Sequence, residues 1–179
     1  MMNERSPFER ATALAALSGF KLALGPAFLA ASRRSPSAGT WALAALAEMM
    51  LDKMRILPPR YRPSLAIPHA LAGAWVARES MKDSGVDDPL VPLAGAAVAA
   101  GVSCVSSWAR IGLRAGLGVA DPLLGVGEDY VALKLGTQAT GVTLGEVGEL
   151  ARDSIENLGR SVAPVLTARA SSLLESSGP

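Results

Sequence analysis

Cysteine, histidine and aromatic residues are close to missing from this chain: 179 residues include one cysteine, one histidine and 4% aromatics. A lone Cys104 cannot close an internal disulfide, which excludes a secreted disulfide framework; in its apolar run it reads as a small buried hydrophobe. One histidine and one cysteine leave no set of the usual zinc ligands, so no metal and no other cofactor is expected. Charge is also scarce, at 18% against roughly 25% in a typical soluble domain. The 17 basic and 16 acidic residues nearly cancel, giving +1, and no basic block marks a nucleic-acid partner. Enzyme signatures are missing too. Ser103, Ser106 and Ser107 lack a nucleophile elbow, and Gly116-Leu117-Gly118 lacks the remainder of a dinucleotide fingerprint. A non-catalytic protein is expected.

What is abundant is small and aliphatic. Half the residues are hydrophobic and mean hydropathy is positive. Without large aromatic side chains, a water-soluble core would lack the groups that dominate burial, whereas small residues suit close helix contacts in lipid. The expected class is therefore all-α: a polytopic transmembrane helical bundle of four or five hydrophobic helices, some short or kinked, with a C-terminal amphipathic helix. Three regions follow: a polar N-terminal segment (1–10), a membrane helical domain (11–144), and an amphipathic helix with a frayed tail (145–179). The first apolar run, 11–31, follows Arg5 and Arg10 as a signal peptide would, but Lys21 splits it and its length exceeds the ~7 to 15 residues of a signal core. It is expected to stay as a span of about 20 residues, kinked at Gly25-Pro26.

After a polar turn at 33–39, a second helix is expected from Thr40 through Met54, ended by Pro58-Pro59. Glu48, Asp52 and Arg55 fall at i, i+4 and i+7 on one face of it. Arg60, Arg62 and Pro63 form an extended basic connector. The run 64–77, with Pro68, His69 and Gly73, is expected to be tilted, re-entrant, or helical only after Pro68. The polar stretch 78–88 reads as a loop. The run 90–113 is the strongest span; Ser103, Ser107, Arg110 and Arg114 draw a polar stripe along it, and Gly112 and Gly116 form a G-x-x-x-G pair. A glycine-rich turn at 116–127 is expected to precede a fifth helix from Glu128 to about Leu144, with Glu128 and Asp129 capping its first turn. Basic residues counted on alternate sides favour a cytoplasmic N-terminus.

Charges inside such runs are costly and face a bundle interior, pair with one another, or line a water-filled path. The candidate polar seam comprises Lys21, Glu48, Asp52, Lys53, His69, Arg110, Arg114, Glu128 and Asp129. Glu48 and Asp52, one turn apart, repel unless a cation or shared proton intervenes. Two readings stay open: an ion or proton site, or salt bridges to Lys21, Arg110 or Arg114 that lock the helices. An echo between halves, Lys21 followed by Glu48 and Arg114 followed by Glu128, has the form of the repeats that build transporters.

The ordered set Gly19-Phe20-Lys21 with Pro26-Ala27, Glu48 with Asp52-Lys53, Pro58, Arg60, Pro63, Gly73-Ala74, Arg110 with Arg114, Asp121-Pro122 and Glu128-Asp129 resembles a family of small bacterial membrane proteins grouped as domain of unknown function 4126. The resemblance spans about residues 14–143. It implies a polytopic helical fold in the bacterial inner membrane, with no established activity. Lys21 and His69 stand where the family commonly has arginine, which implies less directional contacts to carboxylates. The expected function is a small integral membrane component, channel- or transporter-like; the alternative is a structural or accessory subunit of a membrane complex. Expected partners are the lipid bilayer and a homo-oligomer or larger complex.

Overall fold

The computed structural model describes residues 6–54 and 63–176, with side chains described for 6–54 and 66–161. Among the described residues the fold is all-α, with helices α1 (Pro7–Phe20), α2 (Leu24–Ser32), α3 (Ala38–Lys53), α4 (Pro63–Lys82), α5 (Leu90–Leu117), α6 (Asp121–Thr140) and α7 (Leu144–Ser176). The connector residues Pro58, Arg60 and Arg62, and Arg55 of the predicted stripe, lie outside the described residues.

Helix starts follow local chemistry. A capping box opens α1: Glu9 N–H donates to Ser6 Oγ, and Ser6 N–H to the Glu9 carboxylate. Pro7 occupies the first turn, where its missing N–H costs nothing. Gly118 (φ 64°) and Gly141 (φ 73°) end α5 and α6 in the left-handed conformation that glycine adopts without a steric penalty.

Several boundaries depart from the sequence reading. The first run is two helices, broken at Lys21-Leu22-Ala23 and not kinked at Gly25-Pro26. Pro26 lies in the first turn of α2, where no intrahelical bond is lost. Helix α3 starts at Ala38, before Thr40. Helix α4 runs through Pro68 and on to Lys82, so Glu79 and Lys82 are helical and the loop is shorter than 78–88. Its continuity follows from packing: α4 lies along α5 and α1 through small residues. A Cβ on Gly73 would lie 2.7 Å from the Gly95 carbonyl oxygen, and one on Gly19 would lie 2.5 Å from that of Ala99. Backbones approach this closely only where side chains are absent or tiny. A Cβ on Gly112 or Gly116, by contrast, would meet nothing within 4 Å outside its own helix backbone. Helix α6 begins seven residues earlier than expected, at Asp121, with Pro122 in its first turn. The C-terminal helix is present and reaches Ser176, past the expected start of fraying.

The main core gathers Leu14, Leu17, Leu24, Phe28, Leu29 and Val76 around α2, with Ala45, Met49 and Ala132 from α3 and α6. Helix α2 is buried from Leu24 through Ala30, so its own neighbours replace water on every side. Helix α5, at 28 residues about 42 Å long, is the one helix among the described residues that is long and apolar enough to cross a membrane.

Candidate functional site

Four elements converge on the break between α1 and α2. Lys21, at the break, is 0% exposed although its side chain ends in an ammonium group. Its Nζ donates to Asp52 Oδ2 of α3 at 2.8 Å and lies 3.2 Å from Asp129 Oδ1 of α6. The second contact is ionic but outside hydrogen-bond geometry, since Oδ1 accepts no hydrogen bond. Lys53 of α3 pairs with Asp129 Oδ2 and also donates to the Met49 carbonyl. Arg110 of α5 completes the group: Nη1 reaches Asp52 Oδ2 at 3.0 Å and Glu128 Oε2 at 3.4 Å, and Nη2 reaches Asp121 Oδ2 at 3.2 Å. Gly125 makes room for this guanidinium; a Cβ there would stand 3.4 Å from Nη2.

Three cations thus interleave with four carboxylates, and Asp52 Oδ2 is shared between Lys21 and Arg110. Removing a charge from water costs several kcal/mol, roughly, and such a group persists only where partners and hydrogen bonds compensate it. Each buried charge here has an ionic partner, with Asp129 held by a hydrogen bond at Oδ2 and by charge alone at Oδ1.

Glu48 does different work. In an unbroken helix the Leu22 N–H would bond to the Ser18 carbonyl, four residues back. Instead Leu22 N–H donates to Glu48 Oε1 at 2.8 Å and Ala23 N–H to Oε2 at 3.0 Å. The orphaned Ser18 carbonyl faces Nδ1 of the buried His69, from α4. Because a carbonyl only accepts, Nδ1 carries the proton in this contact. Glu48 and His69 therefore stand in for the two halves of one missing helical hydrogen bond. The carboxylate also sits at the positive end of α2, where the helix dipole favours it.

The predicted seam is therefore partly assembled. Lys21, Asp52, Lys53, Arg110, Glu128 and Asp129 form the ionic centre, and Glu48 and His69 satisfy the backbone beside it. Arg114 is a correction: it is exposed, because α5 extends past the helices that cover its first half. The echo between halves consequently pairs Arg110, not Arg114, with Glu128. Glu128 and Asp129 are corrected from a first-turn cap to the middle of α6, facing inward. Asp121, read from sequence only as a turn residue, is a further member. Its signal was present, since 121, 125, 128 and 129 share one helix face once the helix starts at Asp121.

A second ionic group lies apart from the centre. Arg33, after α2, grips Asp83 through Nε (3.0 Å) and Nη2 (2.7 Å), and its Nη2 also donates to the Glu79 carbonyl at the end of α4. The hydrogen bond to Asp83 is the main cause raising its pKa above the ordinary arginine value. No group of histidine, cysteine and acidic side chains suited to a metal ion occurs among the described residues. In comparisons with known proteins, no family model, no curated protein and no solved structure matches the chain.

Proposed function

We propose that this chain is a multi-pass membrane protein whose ionic centre handles a small ion or proton within a transporter- or channel-like component. The observation that carries the reading is Lys21: fully buried, at a break between two helices, between Asp52 and Asp129. Interrupted helices with ionisable groups at the interruption are how transporters build sites at membrane depth. Lipid as solvent is supported by an inverted surface. Large apolar side chains point outward, such as Leu93 (67% exposed) and Trp108 (62%), with Leu71, Val105 and Tyr130 also exposed, while the charges of the ionic centre turn toward one another. On this reading α5 is joined by the α1–α2 pair, α3, α4 and α6 in a bilayer, and α7 lies at its surface. A bacterial inner-membrane location with a cytoplasmic N-terminus fits the arginine distribution.

Proteoliposomes of the purified protein should show flux of protons or a monovalent cation. Asp52→Asn and Glu48→Gln should abolish it while the protein stays folded and monodisperse. A second reading is favoured by one observation: Lys21, Lys53 and Arg110 are all ion-paired, as a packing lock requires. An accessory subunit of that kind gives no flux and co-purifies with a larger complex.

A further inference from the structure

A groove of about 570 Å3 lies between the end of α4 and the start of α5, near the opposite end of α5 from Arg110. Leu71, Trp75 and Arg78 line it at i, i+4 and i+7, one face of α4 that climbs about 10 Å from aliphatic through aromatic to charged. Pro92 of α5 forms part of the facing wall, and Asp87, in the loop between the helices, also lines the groove, with Oδ1 3.8 Å from Arg78 Nε. The Trp75 indole lies beside Trp41 of α3, ring centroids 6.1 Å apart. Tryptophans with charged residues just beyond them mark the depth at which hydrocarbon gives way to headgroups.

Arg78 and Asp87 fix the chemistry of an occupant. Both side chains are more than half exposed, and their pairing is longer than a hydrogen bond. Among the described residues neither makes another ion pair or any hydrogen bond. The neighbouring charges are engaged elsewhere: Glu79 with Lys82 and Arg33, Asp83 with Arg33, and Asp88 Oδ1 with the Leu90 N–H at the start of α5. An anion alone would meet Asp87 with Asp88 beside it, and an amine alone would meet Arg78. A zwitterion answers both. Phosphate matches the guanidinium fork, and a primary ammonium brings three donors to a carboxylate that accepts none from the fold.

We infer that this groove holds the head of a zwitterionic phospholipid: its phosphate on Arg78, its primary ammonium on Asp87, and its acyl chains descending past Trp75 and Leu71. The inference rests on the membrane setting proposed above, with the bilayer as the source of the lipid.

Native mass spectrometry of the full chain, released from detergent micelles, tests it with phospholipids of identical acyl chains and three heads: ethanolamine, choline and glycerol. The expected result is saturable binding of the ethanolamine lipid, at least about tenfold tighter than the glycerol lipid. Arg78→Gln should weaken that binding about tenfold, and Asp87→Asn should bring the ethanolamine lipid to the level of the choline lipid. Both positions are exposed, so neither change should disturb folding. Water-soluble phosphoethanolamine, a head without chains, should compete at least about tenfold more weakly than the lipid. Tighter binding of the glycerol lipid, equal binding of the ethanolamine and choline lipids, equal competition by phosphoethanolamine, or binding unmoved by Arg78→Gln overturns the inference. A chain that pellets with membranes yet shows no head preference overturns the inference and leaves the membrane setting standing. Head preference retained when proteoliposome flux is absent upholds the groove and overturns the ion-handling reading alone. A chain recovered in the supernatant of pelleted membranes overturns the membrane setting, and the bilayer as source with it.

Discussion

Lys21 concentrates the argument at the scale of single residues. Nothing in its sequence neighbourhood supplies a counter-charge; Asp52 and Asp129 arrive from helices 31 and 108 positions away (52 − 21 and 129 − 21). Lys21→Met keeps the volume but leaves two carboxylates short of a cation. Breaking a buried pair from one side costs about 3 to 5 kcal/mol. Because Arg110 and Lys53 still touch those carboxylates, the lower end is expected, about 3 kcal/mol in a denaturant unfolding curve in detergent. A loss below about 0.5 kcal/mol, the usual effect at an indifferent surface site, would show that the ammonium is not compensating them. A milder residue-scale effect belongs to Glu146. Its carboxylate accepts from the Thr143 backbone N–H (2.6 Å) and hydroxyl (2.8 Å), which lower its pKa below the ordinary 4.5. Because the folded value is depressed, the contribution is present above about 4.5 and is lost as pH falls through the folded value. Amide exchange at the start of α7 should accelerate in that acid window, and Thr143→Ala should reduce the change.

At the scale of elements, existence was easier to read than limits. The apolar runs located α3 and α5, and covered α1 and α2 as a single span, because charge density and proline report directly on what a helix can bury. The break at Lys21 was not legible. Gly25-Pro26 looked like the weak point, but proline is harmless in a first turn, and what interrupts the helix is Glu48 and His69, held by other helices, competing for its backbone groups. Helix α6 was misplaced because glycines at 116, 118, 125 and 127 resemble a turn. In the fold Gly125 serves the close approach of Arg110, so its value lies in tertiary packing that no local window contains. Glu48→Ala should expose this competition: with Leu22 and Ala23 N–H unpartnered, stability should fall by about 1 to 3 kcal/mol. Glu48→Gln, which keeps one acceptor, should lose less. The α4–α5 contact gives an independent check. In Gly95→Ala the new methyl would sit 2.5 Å from the Ala77 Cβ and 2.6 Å from the Gly73 carbonyl oxygen. Overpacking of this kind costs roughly 1 to 3 kcal/mol, whereas Gly112→Ala, in open space, should be neutral or slightly stabilising.

For the whole molecule, a composition of few charges, few aromatics and small aliphatic side chains leads to the expectation of lipid as solvent, and large apolar side chains lie exposed at Leu93, Val105 and Trp108. The converging charges were legible as a set, and so were the partners Lys21 and Arg110 of Asp52; the pairs Lys53–Asp129 and Arg110–Asp121 were not, since they depend on helix order around the break. Arg114 shows the limit. It shares a helix face with Arg110, yet α5 extends past its neighbours and leaves Arg114 exposed. The central claim is that lipid surrounds these helices while their charges face one another. Oxygen and water-soluble nickel-chelate accessibilities of spin labels at Leu93, Val105 and Trp108, in a Cys104→Ser background reconstituted in bilayers, test it most directly. The expected result is high oxygen and low nickel accessibility at all three positions, with an Arg114 label shifted toward nickel. High nickel accessibility at Leu93, Val105 and Trp108 would place the apolar surface in water and contradict the claim.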